Sequence, residues 1–294
     1  MFSTLKKLRS ALSLMNPEEV RRTAGRPLSI VLVASTSSGY ADMEDFLAPR
    51  EVSHQERVRL MERIFRNGDQ GAPAAADLRL YEEGLACPAE AFTFRREHPE
   101  ATIDEILEAR EELHLPLARS FRPFRKPVVD RIVQDISKEN ALFAVLSALP
   151  NVVPTVLDLP WAVGEFASDT TFITLNQVRM AFLIAAACGR KVGLTEQTTE
   201  IASIAAGAFG WRALARELAG KIPMGGGLIP KGAIAFAATY VIGRGIERLH
   251  TRGRGYSRRE RRALYETAYE KGKRVAKALI SKGGAVEENV PRAG

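Results

Sequence analysis

The pattern of apolar and polar positions changes character near residue 127. Before that point, short apolar runs alternate with helical stretches; after it, almost every segment has helical period. The first strong element is SIVLVAS, beginning near Leu28, a continuous β-branched run of the kind expected of a strand buried on both faces. A loop, Thr36-Ser37-Ser38-Gly39-Tyr40, follows it and leads into a short helix over Ala41–Leu47. Ser53-His54-Gln55-Glu56 reads as a capping box that opens a helix running to about Arg66 and stopping near Gly68. After a Gly/Ala/Pro linker at 69–76, Leu78–Glu82 reads as a second strand and 91–94 as a third, weaker one. Thr102-Ile103-Asp104-Glu105 reads as a further capping box, with a helix to about Leu113. The proline-broken basic segment 115–127 reads as a hinge.

The second half is expected to be helical throughout. Pro127 suits the first position of a long helix over Val128–Leu149, with Val129, Ile132, Val133, Ile136, Leu142, Phe143 and Leu146 as its apolar stripe. Further helices are expected over Pro160–Gly189, Glu196–Ala219 and Ala233–Leu249. The last helix opens at the capping box Ser257-Arg258-Arg259-Glu260, with Leu264, Ala268, Val275 and Leu279 in line. Ser203, Gly207 and Gly210, and likewise Ala235, Thr239 and Gly243, have the spacing that lets helices approach closely. At the other end, Phe2, Leu5, Leu8, Leu12 and Met15 share one face opposite Lys6, Lys7 and Arg9, a surface helix or a membrane-surface anchor. Asn16 can cap a second short helix with Pro17 at its first position and Gly25 as its stop.

These elements imply an α+β, predominantly α-helical protein: a small α/β unit followed by an all-α hydrophobic module. The expected divisions are amphipathic helices at 1–25, the α/β unit at 26–126 and the apolar module at 127–250. A basic amphipathic helix at 251–282 and a disordered tail at 283–294 complete the chain.

A membrane-spanning helix needs about 20 nearly charge-free residues. Asn140–Leu157 is free of charge but broken by Pro150 and Pro154. Ile222–Ile242 carries only Lys231, yet Gly225, Gly226, Gly227 and Pro230 interrupt its first half. The sequence leaves two readings open, a helical core or peripheral module and a partly embedded, hairpin-like one. If Pro160–Gly189 is one helix, Glu165, Asp169, Asn176 and Arg179 fall within about 80° of arc, a polar stripe on an apolar helix. Such a stripe serves as an internal ion-pair network, a partner site or a solvated face.

Charge sharpens the picture at one end. Between Arg248 and Lys282 stand twelve Lys/Arg and three Glu, a local balance of +9; the whole chain carries +7, so the remainder carries −2. The basic character therefore belongs to this helix and the arginines just before it, Arg252, Arg254, Arg258, Arg259, Arg261 and Arg262. Anionic lipid is the favoured partner, at about 1 kcal/mol per basic residue near the surface; no motif accompanies it that would favour nucleic acid. Arg212, Arg216 and Lys221 beside Gly225, Gly226 and Gly227 form a second candidate site for an anion such as a lipid headgroup.

Other chemistry finds little support. Cys87 and Cys188 are far apart and in no metal-binding pattern, which suits a reducing compartment. The four histidines have no metal spacing, and no cofactor is implied. The start lacks the long apolar segment and cleavage site of a signal peptide. The loop at 36–40 follows a strand and precedes a helix, where phosphates bind, yet no Lys follows Gly39 as a P-loop requires. No GxSxG elbow occurs, and Glu165 with Asp169 has no nucleophile near it in sequence.

The segment Ile222-Pro223-Met224-Gly225-Gly226, the run GAIAFAATYVIG at 232–243 and the helix NQVRMAFLIAAACG at 176–189 together carry a resemblance. Over roughly Pro150–Gly245 the chain resembles the YcjF-type domain of unknown function associated with Era-like GTPases. The resemblance implies a helical, hydrophobic module that works beside a GTPase. It also implies that the α/β unit is a GTPase remnant. At the place of the metal-linked DxxG motif stands Tyr81-Glu82-Glu83-Gly84, and no NKxD or TKxD occurs. The expectation is thus a non-enzymatic, membrane-associated accessory or scaffold protein on the cytoplasmic side of a membrane. It is partnered by a GTPase and open to homo-oligomer formation. The alternatives are a divergent nucleotide-binding protein using the 36–40 loop and a soluble nucleic-acid binder using the basic helix, with the cytoplasm as the alternative location.

Overall fold

The computed structural model describes residues 16–148, 169–204 and 227–287. The fold is α+β and mostly helical. The chain divides into two compact units. One contains Glu19–Asp130 with Ala186–Lys191; the other contains Arg131–Ala185 and Val192–Gly294, together with Met1–Glu18.

Helix α1, Pro17–Ala24, starts as the sequence predicts, with the Asn16 side chain accepting from the amide of Glu18 at 3.0 Å. In the α/β unit, strands β1 (Ile30–Val33), β2 (Ile64–Arg66), β3 (Leu78–Glu82) and β4 (Phe92–Phe94) form an all-parallel sheet in the order β2-β1-β3-β4. Ile30 faces both Ile64 and Leu78, and Leu80 faces Phe92. Ile30, Leu32 and Leu80 are fully buried, which explains the unbroken apolar run of the central strand. Helices α2 (Ser37–Leu47), α3 (His54–Met61), α4 (Pro99–Ala109) and α5 (His114–Ser120) belong to this unit, as does the first part of α6 (Arg122–Leu146).

Several expectations are corrected here. The helix opened by Ser53 is capped as expected, the Glu56 amide donating to Ser53 Oγ at 3.2 Å, but it ends at Met61. A tight turn, Arg63 N to Leu60 O at 3.0 Å, then delivers Ile64 to the sheet as β2. The strand next in the chain after α2 is therefore β2 and not β3. Thr102 is not a cap, because α4 starts three residues earlier at Pro99. Thr102 is buried inside the helix, where its hydroxyl donates to Thr93 O and accepts from the Arg95 amide, both at 3.0 Å. Segment 115–127 is not a hinge: it forms α5 and the start of α6, with Leu117, Ala118, Phe121 and Phe124 fully buried. Pro127 lies inside α6, as its sixth residue, rather than at its start, so it stands beyond the first turn whose N–H groups lack intrahelical partners.

The second unit contains the rest of α6, most of α7 (Asp169–Ala187), a helical segment over 198–204, α8 (Leu228–Arg252) and α9 (Arg258–Glu287). Helix α8 begins five residues before the expected Ala233. Pro230 falls in its first turn, where no partner is available for an N–H anyway, so it does not interrupt the helix. Gly253, at φ +69°, ends α8 in the left-handed conformation that favours glycine, and its amide bonds to Leu249 O. Helices α8 and α9 then pack as an antiparallel hairpin around Ala237, Val241, Tyr265 and Ala268. The two helices meet closely: a methyl on Gly272 would stand 2.8 Å from Ala233 O, and one on Gly232 would stand 2.9 Å from the Ala276 methyl. Helix α9 continues to Glu287, past the expected 282. Among the described residues, no helix is long and apolar enough to cross a membrane.

Candidate functional site

Three places gather polar or charged groups beyond what surface chemistry requires, and each is built by identifiable elements.

The first is the crevice at the carboxyl ends of β1 and β3. In a parallel sheet ordered this way, the chain leaves β1 toward β2 on one side and leaves β3 toward β4 on the other, and ligands generally bind at such a switch point. Helix α2 starts there, with the Thr36 hydroxyl accepting from the Gly39 amide at 3.0 Å. The position a phosphate would take is held by the chain's own carboxylate. Glu82, at the end of β3, accepts from the amide and hydroxyl of Ser35 at 2.7 and 2.8 Å and from the Thr36 hydroxyl at 3.2 Å. Gly39 leaves the room: a methyl there would stand 2.3 Å from Glu82 Oε1. The bond from the Ser35 amide, then that from the Ser35 hydroxyl, lowers the Glu82 pKa below its ordinary value. The expected loop at 36–40 is instead the Thr36 cap and the first turn of α2, since the helix starts at Ser37 and not at Ala41, and the carboxylate beside it disfavours a nucleotide phosphate there by repulsion.

A group with a depressed pKa stabilises the fold above its unfolded-state pKa, and that contribution is lost as pH falls through the folded value. Glu82→Gln is therefore expected to lower the thermal midpoint at neutral pH and to flatten the acid side of the stability profile below about pH 4.5. Thermal unfolding followed from pH 7 to pH 2 checks this. Parallel profiles for the two proteins would show that Glu82 is not held as described.

The second place is a polar ladder inside the helical unit. Asn140 on α6, Asn176 and Gln177 on α7 and Thr239 on α8 are all buried. The Asn176 amide donates to Asn140 Oδ1 at 2.9 Å and to Glu139 Oε2 at 3.0 Å. Asn140 Nδ2 donates to Thr239 Oγ1 at 2.8 Å, and Gln177 Nε2 to the same oxygen at 3.2 Å. Arg179 closes the outer end, pairing with Glu139 at 3.0 Å and donating to Asn176 Oδ1 at 3.2 Å. Of the predicted stripe, Asn176 and Arg179 are thus brought together. Asp169 is the first residue of α7, while Glu165 lies outside the described residues. The sequence reading missed Glu139, Asn140 and Gln177 and gave Thr239 only a close-packing role. A signal was present, since Asn140 continues the buried line of Val133 and Ile136 on α6. The ladder is a helix-locking network in which the paired groups answer one another.

The third place is the turn of the α8–α9 hairpin. The predicted basic residues Arg252, Arg254, Arg258, Arg259, Arg261 and Arg262 are all exposed. Arg262 pairs with Glu266 at 3.2 Å. Among the described residues, no group hydrogen-bonds or ion-pairs with the side chains of the other five. The turn beneath them is firmly built. Ser257 and Glu260 form a reciprocal capping box, the Glu260 amide donating to Ser257 Oγ at 3.3 Å and the Ser257 amide to Glu260 Oε2 at 2.8 Å. Arg248 lies over the Tyr256 ring, 4.3 Å from its centroid, and donates to Glu260 Oε1 at 2.9 Å. The Ser257 amide first, then its hydroxyl and Arg248, hold the Glu260 pKa down at about 2. Glu260 is therefore charged across the physiological range, with its oxygens directed to its own turn.

The remaining predicted anion site is only marginally within view. Gly227 is the exposed residue preceding α8, and Arg212, Arg216, Lys221, Gly225 and Gly226 lie outside the described residues. Among the described residues, no group of three or more His, Cys, Asp or Glu is placed to hold a metal ion. No family model, no curated protein and no solved structure matches this chain.

Proposed function

We propose that the protein is a non-enzymatic accessory or scaffold protein that associates with an anionic membrane surface through the turn of its α8–α9 hairpin. The observation that carries this reading is the set of five exposed arginines, Arg252, Arg254, Arg258, Arg259 and Arg261, unpaired among the described residues. Charges left uncompensated on a folded surface raise the local concentration of an oppositely charged partner. An anionic leaflet is the partner that needs no sequence readout. Contact is electrostatic rather than insertive: among the described residues, the largely exposed large hydrophobic side chains are Val58 and Leu194, and neither lies on the hairpin. The resemblance of 150–245 to a GTPase-associated helical domain supports a GTPase as the companion protein and the cytoplasmic face as the setting. The Glu82 carboxylate, seated against Ser35 and Thr36 at the start of α2, speaks against the nucleotide-binding alternative.

Sedimentation of the full chain with vesicles tests the proposal. Vesicles containing phosphatidylglycerol are expected to carry the protein down at low salt and neutral phosphatidylcholine vesicles to leave it in solution. Salt at about 1 M, where the Debye length falls to about 3 Å, is expected to release it. Equal recovery from both vesicle types, or release only by detergent, would overturn the electrostatic mode.

A further inference from the structure

The kind of basic residue at the hairpin turn is informative beyond its charge. From Arg252 to Arg262 every cation is an arginine, and the lysines of this hairpin's second helix begin only at Lys271. An undifferentiated polybasic surface has no use for that segregation, because lysine supplies the same charge. Arginine differs in offering a planar fork of donors that binds two oxygens of one phosphate side by side, whereas the ammonium of lysine acts as a point charge. The turn is also held in one conformation by the Gly253 cap, the Ser257–Glu260 box and the Arg248–Tyr256 stack. The five arginines thus project from a fixed base, which lowers the ordering cost of binding.

We infer that this turn recognises the phosphomonoester of a lipid headgroup, in preference to the phosphodiester of an ordinary anionic lipid. A phosphomonoester near neutral pH carries about −1.5 to −2 charge and three terminal oxygens, enough for two guanidinium forks at once. A phosphodiester has two free oxygens and a single charge, so it satisfies one fork. The inference rests on the membrane-surface reading above and adds the headgroup chemistry to it.

The test uses the full chain and two vesicle populations matched in surface charge, one containing phosphatidic acid and the other phosphatidylglycerol. A second protein carries Arg252→Lys, Arg254→Lys, Arg258→Lys, Arg259→Lys and Arg261→Lys together. It keeps the charge and alters only side chains that are exposed and unpaired among the described residues, so its fold is expected to persist, as circular dichroism would verify. The native protein is expected to partition onto the phosphatidic acid vesicles on the order of tenfold more strongly, and the lysine protein to bind both equally. Equal binding by the native protein, or a preference retained by the lysine protein, overturns the phosphomonoester assignment and leaves membrane association standing. Sedimentation with neither population overturns both. Displacement by soluble glycerol phosphate at the same phosphate concentration would assign the site to a free metabolite instead. Tighter retention on a random-sequence RNA duplex than on either vesicle would assign it to nucleic acid.

Discussion

Replacing Phe124 by alanine is expected to cost the α/β unit about 3–5 kcal/mol, the range for emptying a buried aromatic site. Phe124 is fully buried near the start of α6, its ring 6.2 Å from that of Phe46, which in turn lies 5.1 Å from Phe94 on β4. The substitution removes an anchor that joins helix to helix and, through Phe46, to the sheet edge. Hydrogen exchange resolved by peptide is the right measurement, because it reports β1 and β3 separately from the helical unit. Faster exchange across both strands is the expected outcome. A loss below about 1 kcal/mol would mean that 115–127 yields as a hinge would, and that its burial contributes little.

Asn176→Ala is expected to cost the helical unit about 3 kcal/mol. The alanine removes two donated bonds and one accepted bond, leaving Asn140 Oδ1 and part of the Glu139–Arg179 pair without their inner partner. Each buried polar group deprived of its bond loses about 1–3 kcal/mol, with the outer, half-exposed pair recovering some of this from water. The effect should appear as a shift in denaturant midpoint and as faster exchange in α6, α7 and α8 together. Vesicle binding by the folded fraction should not change. A protein as stable as the native one would show that the ladder adds no net free energy, as sometimes holds for buried polar groups that fix helix register.

What was legible in the sequence was what neighbours in the chain decide. The Ser257–Glu260 box, the Ser53 cap and the Asn16 cap each involve residues two or three positions apart, and all three form. The same local pattern misled at Thr102, where a hydroxyl followed by an acid is in fact spent on Thr93 across a turn. Strand β2 was invisible because three residues, Ile64 to Arg66, follow a well-capped helix, and only pairing with β1 gives them extended form. The site residues that were missed all depend on long-range contact. Glu82 meets Ser35 only because β1 and β3 are parallel neighbours, and Asn140 meets Thr239 only when α6 packs on α8. The arginines were readable because a run of like charges marks a surface by itself, and among the described residues nothing folds over them.

The close packing of α8 on α9 has a mechanical consequence. With Gly232 and Gly272 admitting the opposite chain so closely, the two helices resist bending better than either would alone. Helix α8 is 25 residues long, so at about 1.5 Å per residue it forms a strut of about 37 Å. That length spans several Debye lengths at about 8 Å each in physiological salt, so on the proposed membrane contact a leaflet at Gly253 would be electrically remote from the far end of the strut. An anchored hairpin would thereby act as a spacer, and the distance at which it holds a companion would be set by the number of residues in α8.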